Sequence, residues 1–248
     1  MSNLISCLLF PPTCKGCGAR FALTPDKAPL PVFCTSCESA WQSAMRAECP
    51  RCFRPRFSCA CMTSSMKKVG FCAHVKLAKY SDSTDDRVMR HALLYMKDHA
   101  CAPLFERCAD ELKSGVLETL NDMGYDAEHA LIVPVPRHEK NARRAGMDQA
   151  VMLANALSRA TGIEMVPLLK RAPRASVQKS LDETARFENS KGVFVSKDVP
   201  YGRCVLLVDD VVTTGATMCA AGAALRAAHA TDVVSVSLAA TEKKRNSA

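Results

Sequence analysis

Two adjacent carboxylates, Asp209 and Asp210, stand between a short apolar run and a turn rich in hydroxyl groups. The apolar run, 205–208, has the length expected of a strand buried on both faces. In the turn, 213–217, Gly215 lets the backbone approach a ligand, and the first N–H groups of the following helix lack internal partners. Carboxylates beside such an anion site suit the hydroxyls of a ribose or the water on a magnesium ion. The pattern predicts a site for a phosphorylated sugar.

Fourteen cysteines are the second chemical feature, and eight of them fall into two groups of four. In the first group, Cys14 and Cys17 are separated by sixteen residues from Cys34 and Cys37, a spacing typical of zinc ribbons. Four thiolates close the coordination of a structural zinc ion and leave no open position for catalysis. The first group therefore predicts a structural zinc site.

The second group has the pattern C-x2-C followed by C-x-C. Its members are Cys49, Cys52, Cys59 and Cys61. Because the last pair has a tight bite, Cys72 or His74 remains an alternative ligand. Two zinc ions are predicted, and the alternative is one metal with free thiols in the second group. Apolar residues are few in this segment, so metal rather than a core is expected to hold it folded.

The composition limits the class of protein. With 248 residues, 48% of them hydrophobic, the chain can bury a sizeable core, and no apolar run reaches the ~18 residues of a membrane span. The apolar start, 4–10, lacks a charged leader, so no export signal is predicted and a cytoplasmic protein is expected. In that compartment cysteines favour metal ligation over disulfides. Eight thiolates on two zinc ions would lower the formal charge from +8 to about +4, which is not by itself typical of nucleic-acid binding.

A basic and aromatic cluster lies inside the second cysteine group. Its members are Arg51, Phe53, Arg54, Arg56 and Phe57. Cations together with exposed rings suit single-stranded nucleic acid, although rings near a zinc site also pack on the metal knuckles. Contact with nucleic acid stays an open alternative for this segment.

From residue 69 onward, helical and strand patterns alternate as in a doubly wound α/β fold with a mostly parallel sheet. This divides the chain into a cysteine-rich double zinc ribbon, 1–68, and an α/β domain, 69–248. The predicted strands are 71–80, 131–133, 163–169, 192–196, 205–208 and 232–239. The predicted helices are 85–97, 101–120, 148–161, capped by Asp148, and about 218–228. A polar arm, 170–191, separates two of the strands.

A basic loop, 137–148, follows the strand 131–133 and contains Lys140, Arg143 and Arg144. A loop of this kind beside a phosphate site can close over a pyrophosphate and exclude water. A solvated loop without a ligand is the alternative.

The motif at 205–217 resembles the 5-phosphoribosyl-1-pyrophosphate (PRPP) motif of type I phosphoribosyltransferases: four apolar residues, two acids, two apolar residues and Thr-Thr-Gly-x-Thr. The whole chain resembles the ComF family, through its cysteine-rich start and further matching positions. These positions are Pro134, Val135, Pro136, Gly146, Gln149, Gln178, Leu181, Arg186, Asn189, Gly192 and Phe194. Two places depart from the family pattern: Ala145 and Asp148 within Arg-Gly-Phe-Asn-Gln, and Asp182 where the family has Ser.

The resemblance implies that Asp209 and Asp210 are the catalytic acids that hold the ribose 2′- and 3′-hydroxyls, with Mg²⁺ accompanying PRPP. The PRPP-binding residues that the resemblance implies are Thr213, Thr214, Gly215, Ala216 and Thr217. Lys140, Arg143 and Arg144 are also predicted to bind PRPP, from the basic character of their loop. In the predicted arm, the resemblance implies a hood that selects the acceptor.

Two functions follow from these features. The first is magnesium-dependent transfer of phosphoribosyl from PRPP to an unknown acceptor. The second is a single-stranded-DNA-binding competence adaptor whose PRPP site is regulatory or vestigial, because the ComF family is linked to DNA uptake in natural transformation. The second function implies single-stranded DNA and a DNA-uptake helicase as partners, and neither function involves a membrane. The intact motif at 205–217 favours the enzyme, and the departures at 145–149 and 182 favour the adaptor.

Overall fold

The computed structural model describes residues 13–21, 31–46, 48–49, 52, 54, 59–79, 87–137, 147–172 and 193–241. Its helices are α1 (Thr35–Arg46), α2 (Ser64–Val69), α3 (Arg87–Asp98), α4 (Ala102–Asp122), α5 (Gln149–Thr161) and α6 (Ala216–Ala227). Its strands are β1 (Ala73–Lys79), β2 (Ala130–Pro134), β3 (Glu164–Met165), β4 (Leu169–Arg171), β5 (Phe194–Ser196), β6 (Cys204–Val212) and β7 (Asp232–Ala240). None of these helices combines the length and the apolar character that a membrane crossing requires.

A five-stranded parallel sheet forms the centre of the fold, with strand order β1-β7-β6-β2-β3. β6 lies in the middle, and its first five residues are fully buried. An apolar run with no polar alternation is what a parallel strand needs when helices cover both of its faces. The predicted α/β class with a mostly parallel sheet is confirmed.

The two faces of the sheet carry different helices. On one face α3, α4 and α5 pack around large buried side chains such as Phe105, Leu112 and Leu157. On the other face α2 and α6 pack through Met66 and Met218. Full burial of a large apolar side chain contributes about 1.5–3 kcal/mol, so both layers are held mainly by this packing.

The direction of the chain across the sheet reverses between β2 and β6. β2 continues through α5 to β3 on its outer side, whereas β6 continues through α6 to β7 on the opposite side. The two strands lie next to each other, with Pro134 in register with Val208, and the Val135 N–H donates to the Val208 carbonyl at 2.8 Å. In open α/β sheets, ligands bind in the crevice at the carboxyl ends of the strands at such a point.

The cysteine-rich segment shares its core with the α/β region. Trp41 of α1 is 0% exposed, its ring centroid lies 4.9 Å from that of Phe33, and both join the cluster around α3 and α4. Met66 of α2 is also 0% exposed and joins the cluster on the other face. The expectation that metal rather than a core holds this segment was therefore wrong, because Trp41 and Met66 are large apolar residues that are fully buried in the shared core. The division of the chain into a double zinc ribbon, 1–68, and an α/β domain, 69–248, stays a prediction.

The structure also corrects two strand boundaries. β6 continues to Val212, so Asp209 and Asp210 belong to the strand instead of following it, and Asp209 is in register with Ser237 of β7. The predicted strand 163–169 is divided: β3 pairs with β2 in the large sheet, whereas β4 pairs antiparallel with β5. Strand pairing decides both points, and a local pattern does not contain it.

Candidate active site and metal centres

The turn after β6 is shaped by Gly215, which has φ of 80° and caps the start of α6. This left-handed conformation is one that residues with a side chain adopt only at a cost. The Gly215 carbonyl accepts the first helical hydrogen bond, from Cys219 N–H at 2.8 Å, and Thr214 Oγ1 accepts from Ala216 N–H at 3.3 Å. Four of the five residues of the turn are exposed, and Gly215 is buried.

A shallow depression, partly open to solvent, lies over this turn. It is lined by Asp209, Val211, Val212, Thr213, Thr214, Gly215, Ala216, Thr217 and Met218. All five residues predicted to bind the 5′-phosphate thus line one depression with Asp209, at the carboxyl end of the central strand. Backbone N–H groups, hydroxyls and a carboxylate in this arrangement can bind a phosphate and a sugar hydroxyl side by side.

The two carboxylates differ in their surroundings. Burial first, and then the neighbouring charge of Asp210, raise the pKa of Asp209 to about 8. The Asp209 Oδ1 atom accepts from Asp210 N–H at 2.9 Å, and the Asp210 Oδ1 atom accepts from Val211 N–H at 2.7 Å. A carboxyl group with such a raised pKa is held in the acid form near neutral pH until a cation or a hydroxyl-bearing ligand favours the ionised form.

Arg137 is the cation of this site that sequence reasoning missed. It follows directly after the Pro134-Val135-Pro136 run, and its guanidinium Nη2 lies 3.9 Å from Asp210 Oδ2. Its backbone N–H donates to Asp148 Oδ2 at 3.3 Å. Its position directly after a buried strand was the one signal in the sequence that could have identified Arg137 as a site residue. Arg137 lies beside the acids because β2 pairs with β6, and a local sequence pattern does not contain that pairing.

The predicted pyrophosphate residues, Lys140, Arg143 and Arg144, lie outside the described residues. The basic loop that contains them begins at Arg137, at the carboxyl end of β2 and beside Asp210. The loop therefore leaves the sheet at the switch point between β2 and β6. Whether these three cations reach a ligand stays a prediction.

The loop returns to the fold at Asp148 and Gln149. Asp148 caps α5 as predicted, because its Oδ1 accepts from the N–H groups of Ala150 and Val151 at 3.0 and 3.3 Å. The buried Gln149 donates from Nε2 to the carbonyls of Met96 and Lys97 at 3.3 and 2.8 Å. Gln149, one of the positions matched to the ComF family, thus has a structural role, because its hydrogen bonds link α5 to the end of α3.

The base of the predicted hood is the small antiparallel pair β4–β5. Arg171 lies over the ring of Phe194 at 4.9 Å and donates from Nε to the Pro136 carbonyl at 3.2 Å, so the described start of the predicted arm lies beside Pro136 at the end of β2. The arm positions matched to the family, Gln178, Leu181, Asp182, Arg186, Asn189 and Gly192, lie outside the described residues, as does Gly146 of the basic loop. Their contribution stays a prediction.

The first cysteine group, here called quartet 1, brings four sulfur atoms together. They belong to Cys14, Cys17, Cys34 and Cys37, and all lie within 4.8 Å of one another. A tetrahedral zinc with thiolates at about 2.3 Å separates its sulfur atoms by about 3.8 Å, so the donor set fits zinc. Cys14 Sγ accepts from the N–H groups of Gly16 and Cys34 at 3.4 and 3.2 Å, and the Cys37 N–H is the main group that lowers the pKa of Cys34 to about 6.

The second group, quartet 2, meets the same test. Its sulfur atoms, from Cys49, Cys52, Cys59 and Cys61, also lie within 4.8 Å of one another. Burial raises the pKa of the Cys59 thiol, and the Cys61 N–H and then the charge of Lys76 act in the opposite direction. Such a buried thiol is retained as a thiolate by a metal ion, which this donor set fits.

Lys76 of β1 is a second residue that sequence reasoning missed. It is 9% exposed, and its Nζ donates to the Cys61 carbonyl at 2.7 Å and to Cys59 Sγ at 3.5 Å. A tetrathiolate zinc site carries two negative charges, so a buried ammonium group beside it offsets part of that charge. In the sequence, Lys76 alternates with apolar residues as a solvent-exposed lysine of a strand does, so the pattern did not mark it as a residue of the metal site.

The alternative ligands Cys72 and His74 are excluded from quartet 2 by their contacts. Cys72 Sγ donates to Asp232 Oδ1 at 3.3 Å, and the ring Nε2 of His74 is paired with Ser237 Oγ at 2.9 Å. Both lie in or beside the sheet. Of the basic and aromatic cluster, Arg54 is described and exposed. Arg51, Phe53, Arg56 and Phe57 lie outside the described residues.

Comparison with known proteins agrees with this architecture. The phosphoribosyl transferase domain family matches residues 147–247. Competence protein ComFC of Streptococcus pneumoniae is 27% identical over 210 residues, which cover 83% of this chain and 86% of that protein. Competence protein ComFC of Bacillus subtilis is 27% identical over 209 residues, covering 81% and 78%. Competence protein F of Haemophilus influenzae is 40% identical over 92 residues, which cover 35% of this chain and 40% of that protein.

These similarities coincide with the features already described. The domain match begins at the end of the basic loop and includes β6, the glycine turn and α6. The two ComFC proteins align with more than three quarters of the chain, and quartets 1 and 2 fit a double zinc ribbon. The chain is therefore similar to ComF-type competence proteins, and its residues 147–247 match the phosphoribosyl transferase domain family.

Proposed function

We propose that this chain binds PRPP with magnesium and transfers its phosphoribosyl group to an acceptor that the hood selects. The observation that carries the proposal is the position of Asp209 and Asp210 near the carboxyl end of the central strand, with Asp209 lining one depression together with the turn 213–217. The N–H groups and hydroxyls of the turn would bind the 5′-phosphate, and the carboxylates beside them would bind the hydroxyls of the ribose.

The chain's own groups would act mainly by positioning and by charge. The turn 213–217 would hold the 5′-phosphate, and Asp209 and Asp210 would hold the ribose hydroxyls. When bound, magnesium supplies positive charge to the leaving pyrophosphate. The Arg137 guanidinium, whose Nη2 lies 3.9 Å from Asp210 Oδ2, would offset the negative charge of the acids in the free protein. With the ligand bound, the same guanidinium would face the negative charge of the pyrophosphate. No protein nucleophile is needed, because the ribosyl transition state resembles a cation.

The test is a calorimetric titration of the parent and of Asp209→Asn/Asp210→Asn with PRPP in the presence of Mg²⁺. The double variant keeps the shape of both side chains but cannot form the two carboxylates that a bound ligand would favour, so we expect it to lose about 2–4 kcal/mol of PRPP affinity. The matched control is Asp110→Asn/Glu118→Gln, which removes two charges from the exposed side of α4. The control should bind like the parent, and all three proteins should unfold at similar temperatures.

Two results would contradict the ligand site. The first is a parent that binds no PRPP with magnesium. The second is a double variant that binds like the parent but unfolds at a much lower temperature, because the carboxylates would then be structural. Release of pyrophosphate from bound PRPP in the presence of a panel of nucleobases distinguishes an enzyme from a protein that only binds PRPP.

The second candidate function is a DNA-binding adaptor, favoured by the names of the relatives, which are competence proteins. In this reading the segment that carries Arg51, Arg54 and Arg56 contacts single-stranded DNA, a DNA-uptake helicase is the protein partner, and the PRPP site is regulatory. Changing these three residues together to Ala should weaken binding to single-stranded DNA and flatten its dependence on salt. An unchanged affinity and slope would remove this segment from the binding surface.

A further inference from the structure

The start of α2 lies against the glycine turn of the candidate PRPP site. A methyl group built on Gly215 would lie 3.6 Å from Thr63 Oγ1, 3.7 Å from Met66 Cγ and 3.8 Å from Ser65 Oγ. These are ordinary van der Waals distances, so Thr63–Met66 form a wall directly behind the turn. The wall belongs to the cysteine-rich segment, not to the sheet that carries the turn.

This wall has a defined conformation. Thr63 caps α2, since its Oγ1 accepts from Met66 N–H at 3.3 Å, and the same oxygen is paired with Ser65 Oγ at 2.9 Å. Met66 is 0% exposed and belongs to the same cluster as Met218 of α6. The two hydroxyls and Met66 all face Gly215, and the burial of Met66 among the residues around α6 fixes the position of the helix.

The wall is joined to quartet 2 by a very short connection. Cys61 precedes the Thr63 cap by two residues, and Lys76 Nζ binds its carbonyl at 2.7 Å. The Ala60 carbonyl accepts from His74 N–H at 3.2 Å. Segment 59–61 is therefore held on strand β1 by hydrogen bonds. Its two thiolates would bind the same metal ion as Cys49 and Cys52, because the four sulfur atoms lie close together.

From these contacts we infer that quartet 2 positions the phosphate-binding turn: with its metal bound, it holds Thr63–Met66 against Gly215 and keeps the turn 213–217 in its binding conformation. As far as PRPP is concerned, the inference rests on the proposed function. The coupling itself is a property of the free protein. Thr63 and Ser65 are positioning residues, which act on a ligand through the turn.

Quartet 1 provides the internal control. Cys14 and Cys37 belong to the cluster on the face of α3 and α4, opposite to α2 and α6. Loss of its metal should disturb α1 without reaching the turn. The two zinc sites thus separate a general effect of losing a metal from a specific effect on the turn.

The experiment compares Cys59→Ser/Cys61→Ser in quartet 2 with Cys17→Ser/Cys34→Ser in quartet 1. Zinc content by plasma mass spectrometry should fall to about one ion per chain in each variant. Hydrogen exchange of the amides at 213–218 should become faster in the quartet 2 variant and remain as in the parent in the quartet 1 variant. PRPP affinity, titrated with Mg²⁺, should fall by roughly tenfold in the quartet 2 variant only.

Equal exchange at 213–218 in all three proteins would overturn the inference, whatever PRPP does. A parent that binds no PRPP, but whose turn loses protection when quartet 2 loses its metal, would contradict the proposed function and leave the coupling supported. The two failures are thereby distinguished, since hydrogen exchange needs no ligand.

A second set of variants keeps both quartets intact in case the serine variants do not fold. Thr63→Val and Ser65→Ala remove the two hydroxyls, and Ser64→Ala changes the exposed neighbour on the same helix. All should retain two zinc ions. We expect faster exchange at 213–218 for Thr63→Val, restoration by Thr63→Ser, and no change for Ser64→Ala. Parent-like exchange in Thr63→Val combined with Ser65→Ala would refute the positioning role.

Discussion

The two cysteine quartets have the same donor chemistry but different surroundings. Quartet 1 receives backbone N–H groups, lies at the start of α1 and packs against α3, where Lys15 Nζ sits 4.6 Å from the centre of the Tyr95 ring. Quartet 2 receives a buried ammonium group from the sheet, and the chain that leaves it leads within two residues to the wall behind Gly215. The difference teaches that two cysteine groups with the same donors can be built into the fold differently: quartet 1 packs with the scaffold around α3, and quartet 2 connects directly to the residues behind Gly215.

The largest expected effect is loss of metal. Zinc bound to tetrathiolate sites contributes roughly 10–16 kcal/mol to the folding of isolated zinc fingers, so each site should matter strongly here. We expect two zinc ions per chain in the parent and one in either Cys37→Ser or Cys59→Ser. Cys37→Ser should lower the unfolding temperature more, because quartet 1 holds α1 with its fully buried Trp41.

Plasma mass spectrometry and thermal unfolding check this prediction. A parent with one zinc ion would remove quartet 2 as a metal site, and its cysteines should then react with thiol reagents in the native state. Equal losses of thermal stability would mean that the two sites carry similar scaffold roles.

The two lysines beside the quartets give the next comparison. Lys76→Met removes a buried donor from Cys61 and Cys59, so we expect a loss of about 1–3 kcal/mol in the free energy of unfolding and weaker zinc binding at quartet 2. Lys15→Met removes a cation near Tyr95, worth about 0.5–1 kcal/mol, and should leave zinc binding unchanged. Competition with a chelator measures zinc affinity, and urea unfolding measures stability. The comparison fails should both variants release zinc equally.

Some features of the fold and of the candidate site could be predicted from the sequence alone, and others could not. Both quartets, the glycine turn and the Asp148 cap could be predicted because they are local: the ligands or partners lie within a few residues or repeat a known spacing. Arg137 beside Asp210, Lys76 beside Cys59 and the wall behind Gly215 could not be predicted in this way. Each depends on which strands and helices are neighbours, which is decided by the packing of the whole fold. The extent of β6 past the acids was missed for the same reason.

Substitutions of Gly16, beside quartet 1, and of Gly215, in the turn, test the difference between the two quartets with smaller changes. A methyl group on Gly16 would lie 2.9 Å from Val88 Cγ1 and 3.0 Å from the Cys37 side chain, so Gly16→Ala should push quartet 1 away from α3 at a cost of about 1–3 kcal/mol. Gly215→Ala meets no such clash, but its φ of 80° should cost about 1–2 kcal/mol. Gly215→Ala should weaken PRPP binding, and Gly16→Ala should leave it unchanged.

Calorimetric titration with PRPP and urea unfolding of both variants measure these effects. Gly18→Ala serves as the control for a left-handed glycine in the cysteine-rich segment, because its φ is 77° and nothing lies within 4 Å of an added methyl group. PRPP binding that weakens in Gly16→Ala as much as in Gly215→Ala would show that quartet 1 also controls the turn.

The last comparison concerns a dependence on pH that belongs to the turn and not to quartet 1. The pKa of Asp209 is raised from 3.8 to about 8 in the folded chain, so the folded chain binds a proton more tightly than the unfolded chain between these values. The contribution of Asp209 to the free energy of unfolding therefore falls as the pH rises from about 4 to about 8. Over the same range, its carboxylate form becomes available for a ribose hydroxyl or a magnesium-bound water, so PRPP affinity should rise.

Asp209→Asn isolates this effect, because Asp210, Asp148, Arg137 and the phosphates of PRPP are present in both measurements and their contributions largely cancel in the difference. The difference in unfolding free energy between parent and variant, from urea curves at pH 5 to 8, should shift steadily against the parent as the pH rises. The parent's gain in PRPP affinity over this range should exceed that of the variant. Parallel curves for parent and variant would mean that Asp209 is already ionised at low pH, in which case the charge beside the glycine turn is permanent and needs a cation such as Arg137 at all times.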